Sequence, residues 1–93
     1  MISLLKTKEK INDEMVLHLK FARFGDKGLR IITTSPDMSM VISNLDLETV
    51  HSFTPVDKTE LHEHWVTMAE WHEELGMIIS YSHDHTFSLV LFD

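Results

Sequence analysis

Seven histidines in a chain of 93 residues that has no cysteine pose the first chemical question. Imidazole ligates transition metals and moves protons near neutral pH, so spacing decides what these residues can do. Leu61-His62-Glu63-His64 places two of them at i and i+2, about 200° apart on a helix. The zinc-protease signature instead needs i and i+4 with a glutamate between. His64 and His72 would be separated by roughly 12 Å along a helix axis. Neither pair can hold an ion alone. His83 and His85 flank Asp84, and residues two apart share a face in an extended segment. They are the metal candidates, and the plainer reading of His83-Asp84-His85 is a polar hairpin tip.

Other chemistries find less support. Without cysteine there is no thiolate nucleophile, and no Gly-x-Ser-x-Gly elbow occurs. Ser80, Ser82 and Ser88 alternate as the polar face of strands does. Glu70, Glu73 and Glu74 read as a solvated face. Gly25-Asp26-Lys27-Gly28 lacks the pattern of a phosphate-cradling loop. No cofactor is implied. Binding collects the rest: Trp65 and Trp71, with His64, His72 and Tyr81, are the candidate ligand or partner-binding residues, since tryptophan is enriched where interfaces are tightest. The plainer reading of both tryptophans is ordinary core.

The stretch from Asp57 to Gly76 must position most of these groups. It holds both tryptophans, three of the histidines and six of the fifteen acids. On a helix, Leu61, Trp65, Met68 and Leu75 fall within one arc, with Trp71 at its edge and Glu63, Glu70 and Glu74 opposite, which is the pattern of one buried stripe. Asp57 or Thr59 would cap the start and Gly76 the end. His64 and His72 then lie inside the apolar arc and read as buried. His62 falls at its flank and reads as exposed, as do His83 and His85.

Residues 3–24 read as a second helix, with Ser3 as cap and Gly25 as stop. Its apolar surface exceeds what one sheet face would cover, so either the fold wraps it or it meets another chain. Leu29 to Thr34 is rich in β-branched residues and reads as a strand. Residues 36–45 fit either a helix capped by Ser35 or a hairpin turning at Pro36-Asp37. The hairpin is favoured, with Asn44-Leu45-Asp46 as the next turn and Leu47 to Phe53 as the third strand of a meander. Beyond Gly76 two strands flank a three-residue loop. That length puts Met77, Ile79, Tyr81, Phe87, Leu89 and Leu91 together on one face, the one expected to be buried, and Ile78, Ser80, Ser82, Thr86, Ser88 and Val90 on the other.

The hydrophobic share is 43% and the charged share 25%, which suits a folded domain. The net charge of −7 is unevenly spread. Residues 1–30 hold seven cations against four acids, and residues 31–93 hold only Lys58 against eleven acids. Nucleic-acid binding needs a basic face and is not expected. No stretch reads as a signal peptide or a membrane span.

The expectation is a single α+β domain over residues 1–93. An antiparallel sheet of up to five strands, in the order α-β-β-β-α-β-β, would carry two long helices on one face. The leading functional expectation is a small, acidic, cytoplasmic, non-enzymatic module acting as a homodimer or on a protein partner. One alternative is a small-molecule-binding or metal-dependent enzyme with a histidine-lined pocket between helix 57–75 and the sheet. Another is an acidic inhibitor or immunity-type protein covering a basic site.

Overall fold

The computed structural model describes residues 3–4, 7–8, 11–12, 15–55, 58–59 and 61–91. The described residues form seven strands: β1 (His18–Arg23), β2 (Leu29–Thr34), β3 (Met40–Ser43), β4 (Thr49–Phe53), β5 (Val66–His72), β6 (Met77–Ser82) and β7 (Phe87–Leu91). They form two antiparallel sheets, β1-β2-β3-β4 and β5-β6-β7, in which every neighbour in sequence is a neighbour in space. The architecture is therefore all-β. Among the described residues the only helical turn is a 3-10 turn at Gly25–Lys27, and the α+β expectation with two long helices is wrong.

The central meander forms, with its third strand beginning at Thr49 rather than Leu47. Met38 N–H bonds to Ser35 C=O, leaving Pro36 and Asp37 as the central pair of the β2–β3 turn. Asp37 and Ser35 side chains tighten it by accepting from Ser39 and Asp37 N–H. Leu47 N–H bonds to Asn44 C=O, and Asn44 Oδ1 accepts from Asp46 and Glu48 N–H. Such short polar side chains satisfy turn amides that no strand can reach.

The two expected helices fail for identifiable reasons. In β5, Val66 pairs with Ser82 and Met68 with Tyr81, so Thr67 is an extra, bulged residue. The bulge puts Val66 and Ala69, three residues apart, both inward, and an i, i+3 apolar spacing imitates a helix. Beyond it the alternation is strict: Ala69 and Trp71 point in, Met68, Glu70 and His72 point out. Asp57 and Glu60 lie outside the described residues. Gly76 does take a left-handed conformation, φ 63°, but it closes the β5–β6 turn rather than a helix. In the other segment, His18 to Arg23 pairs residue by residue with β2. Ser3, Leu4, Thr7, Lys8, Ile11 and Asn12 are not helical, and the remainder of residues 1–14 lies outside the described set.

One core joins the sheets. Ala22, Phe24, Ile32, Met40 and Ile42 from the first meet Ala69 and Ile78 from the second, with Phe53, Leu61, Trp71 and Val90 packed around them. Fully burying side chains of this size stabilises by about 1.5–3 kcal/mol each. The contact runs along β5, which packs against β1 and β2. There Trp71 stacks on Phe24, and Val66 N–H bonds to Ser35 C=O. The opposite face of the first sheet is also closed over β2 and β3. Buried Asn12 donates from Nδ2 to Ser39 Oγ at 2.7 Å and accepts from Thr33 Oγ1 at 2.9 Å, and Ile31, Thr33 and Val41 on this face are buried.

Candidate binding face

The second sheet carries the expected hairpin register. Met77 pairs with Leu91, Ile79 with Leu89 and Tyr81 with Phe87, and Ser82 N–H bonds to Thr86 C=O around the three-residue loop. His85 supplies the left-handed residue that a loop without glycine needs, at φ 67°. The faces segregate as the alternation demands, but their sense is reversed. The inner face presents Ile78 and Ser80, both fully buried, with Ser88 and Val90 half-buried beside them. The set expected to be core faces outward instead: Phe87 is 65% exposed, Leu91 59%, Leu89 56% and Tyr81 41%, with Met77 and Ile79 half-buried.

That outward face consists of three rows across the strands. Met68, Tyr81 and Phe87 form the first, Glu70, Ile79 and Leu89 the second, and His72, Met77 and Leu91 the third. Seven of the nine side chains are apolar or aromatic. Trp65, also exposed, extends the surface at the hairpin end, where its ring meets His83 edge-on at 5.4 Å and lies 6.0 Å from His64.

The sequence-derived candidates divide around this surface. Tyr81 lies within it and Trp65 at its end, with His64 and His83 in contact. His72 stands exposed at one corner, its Nδ1 accepting from Leu75 N–H. His64 and His72 are exposed, not buried, because neither sits on an inner face. Trp71 is not part of the surface: it faces the core and donates from Nε1 to Arg23 C=O at 2.7 Å. His83 and His85 belong to the hairpin turn, and among the described residues no group of three or more His, Asp or Glu is arranged to hold a metal ion. The helix that was to wall a histidine-lined pocket does not exist, and His64, His72, Trp65 and Tyr81 do not converge on one.

The histidine that is buried is His62, at 3% exposure. Its Nε2 lies 2.8 Å from Ser80 Oγ and its Nδ1 2.9 Å from Thr86 Oγ1. Thr86 donates its hydroxyl hydrogen to Asp84, so its oxygen accepts from His62 Nδ1–H. His62 Nε2 is then left to accept from Ser80. Asp84 also accepts from Thr86 N–H and Glu63 N–H. The Thr86 hydroxyl, these amides and the nearby imidazole hold its carboxyl down at about 2, against the opposing effect of burial. The order Ser80, His62, Asp84 resembles a nucleophile, base and carboxylate. However, Ser80 has no exposed surface, and Asp84 lies 3.9 Å from the ring with Thr86 inserted between. The network straps residues 61–63 to the hairpin; Ser88 Oγ, donating to Leu61 C=O, adds to it. A notch lined by Leu61, His62, Glu63, Asp84, Thr86 and Ser88 opens beside it.

Sequence reasoning placed His62 on the surface because its partners lie 18 and 24 residues away. The serines offered no local signal, since Ser80, Ser82 and Ser88 read as the solvated set, and only their inward placement gives the imidazole a buried hydroxyl partner. No helix among the described residues is long and apolar enough to cross a membrane. No protein-family profile matches the chain, and neither a curated protein nor a solved structure resembles it significantly.

Proposed function

We propose that the chain is a cytoplasmic, non-enzymatic protein-binding module whose recognition surface is the outer face of the β5-β6-β7 sheet. One observation supports this reading above others: the outer face of that sheet is more apolar than its inner face. Antiparallel sheets with one solvated face ordinarily turn apolar residues in and polar residues out. Here Ser80 is buried while Phe87, Leu89 and Leu91 stand in water. Folding of the chain gains little from these side chains, whereas covering them by another surface removes apolar area from water at about 25 cal/mol per Å2. Exposed Trp65 and Tyr81 add the aromatic residues that anchor interfaces.

The test compares two substitutions of equal charge. Phe87→Asp sits on the face; Leu45→Asp is similarly exposed in the β3–β4 turn. Immobilised wild-type protein, Phe87→Asp and Leu45→Asp are challenged with a dye that fluoresces on apolar surfaces and with cell extract. The reading expects dye binding and any captured protein to survive Leu45→Asp and to be lost in Phe87→Asp. Equal behaviour of the two variants would overturn it.

A further inference from the structure

We infer that the surface covering this face is a second copy of the same chain, docked sheet against sheet about a two-fold axis running along β6. The inference rests on the proposed binding face and names its occupant.

Area is the first argument. The seven apolar side chains expose on the order of 500 Å2, near the upper end of what the largest apolar patch of a monomer reaches. Two such faces brought together remove on the order of 1,000 Å2, which approaches the lower bound of specific interfaces.

Charge is the second. The chain carries fifteen acids against eight lysines and arginines, yet the face holds one carboxylate, Glu70, in its middle row. A basic partner would have to find its counter-charges elsewhere on the molecule. The partner this face selects is itself apolar, flat and nearly uncharged, and a second copy presents that surface.

Glu70 decides the orientation. A two-fold axis across the strands, along the middle row, would lay each strand on its own copy and bring the two Glu70 carboxylates together. An axis along β6 lays β5 of one copy over β7 of the other. Each Glu70 then meets an apolar side chain at the edge of the patch, where its carboxylate can reach water. Ile79 lies on the axis. Sheets pack face to face at about 10 Å with their strands near −30°, so the axis bisects the two β6 strands and is inclined about 15° to each.

The experiment is sedimentation velocity on the full chain from micromolar to millimolar concentration. The wild type is expected to move from 10.8 kDa to twice that mass. Leu89→Asp and Phe87→Asp should remain at the single-chain mass with an unchanged circular dichroism spectrum, because both side chains are already exposed in one copy. Glu70→Gln should tighten the dimer severalfold. Phe21→Asp is the control: Phe21 is 61% exposed on the outer face of β1, away from this sheet, and its dimer should be unaffected. A dimer abolished by Phe21→Asp and spared by Leu89→Asp overturns the inference and assigns the interface to β1. A wild type of single-chain mass throughout also overturns it. In that case the binding face still stands if Phe87→Asp abolishes dye binding, and falls with it if it does not.

Discussion

Trp71 lies flat against Phe24, ring centroids 4.0 Å apart and planes within 11° of parallel, and this pair couples the two sheets. Phe24 follows β1 and Trp71 belongs to β5, so the stack joins segments that share no hydrogen-bonded ladder. The indole N–H completes the junction by donating to Arg23 C=O. Trp71→Ala should cost about 3–5 kcal/mol, the usual range for removing a packed aromatic. Trp71→Phe keeps a ring on Phe24 and should lose only about 1 kcal/mol with the hydrogen bond. Urea midpoints of the two variants provide the measurement. Similar losses would mean that the ring contact contributes nothing of its own.

The reversal of the second sheet predicts opposite outcomes for adjacent strand positions. Ile78→Ala, at a fully buried site, should destabilise by about 2–5 kcal/mol at any protein concentration. Leu89→Ala should change stability by less than about 0.5 kcal/mol in dilute protein, as surface substitutions do. At concentrations where the chain self-associates the loss should grow, because association stabilises the folded state by mass action. Thermal or urea denaturation at two concentrations separates these cases.

Asn12 anchors the segment before β1 through two buried hydrogen bonds. Asn12→Ala leaves the Thr33 and Ser39 hydroxyls, both buried, without this partner. Thr33 Oγ1 keeps a long bond to Val41 C=O at 3.5 Å, so stability should fall by about 1–3 kcal/mol, chiefly from the stranded Ser39 hydroxyl. Proteolysis should report the loosening as faster cleavage before His18, with cleavage in β2 and β3 unchanged.

His62 offers a matching case on the second sheet. His62→Leu fills similar space but strands the buried Ser80 hydroxyl, and should destabilise by about 1–3 kcal/mol. The double variant His62→Leu, Ser80→Ala removes both polar groups and should recover much of that loss. Independent, additive losses in a double-mutant cycle would show that the two side chains do not interact.

Asp84 sets an acid limit. Its carboxyl is held at about 2, against 3.8 when free, first by the Thr86 hydroxyl and then by the amides of Glu63 and Thr86. A folded-state value below the unfolded one means that the unfolded chain binds more protons between these values, so stability rises with pH there. The contribution is fully present above about 3.8 and is lost as pH falls toward about 2. Asp84→Asn should flatten this limb of a urea-midpoint titration between pH 5 and 2, and an unchanged slope would remove Asp84 as its cause.

What the residues determine by themselves is local. Pro36-Asp37 and Asn44-Leu45-Asp46 specify their turns through side chains that bond within four residues. Gly76 marks a left-handed position whatever precedes it. The three-residue hairpin loop follows from the segregation of apolar from hydroxyl side chains between Met77 and Leu91. What only the tertiary structure decided is which way such elements face. Alternation partitions a strand into two sets without saying which set is inside. That choice rested on the sheet that packs against it: small Ala69 and Ser80 and flat Trp71 admit β1, β2 and the His62 strap closely. The helix expected over residues 57–75 failed for a related reason. One bulged residue, Thr67, restores β pairing to an apolar spacing that matches a helix, and pairing with β6 is invisible to any window shorter than the hairpin itself. His62 is buried for the same reason, since the hydroxyls that accept and donate to it come from β6 and from the turn before β7. Burial of a polar side chain is decided by partners distant in sequence, which the fold supplies and local pattern does not.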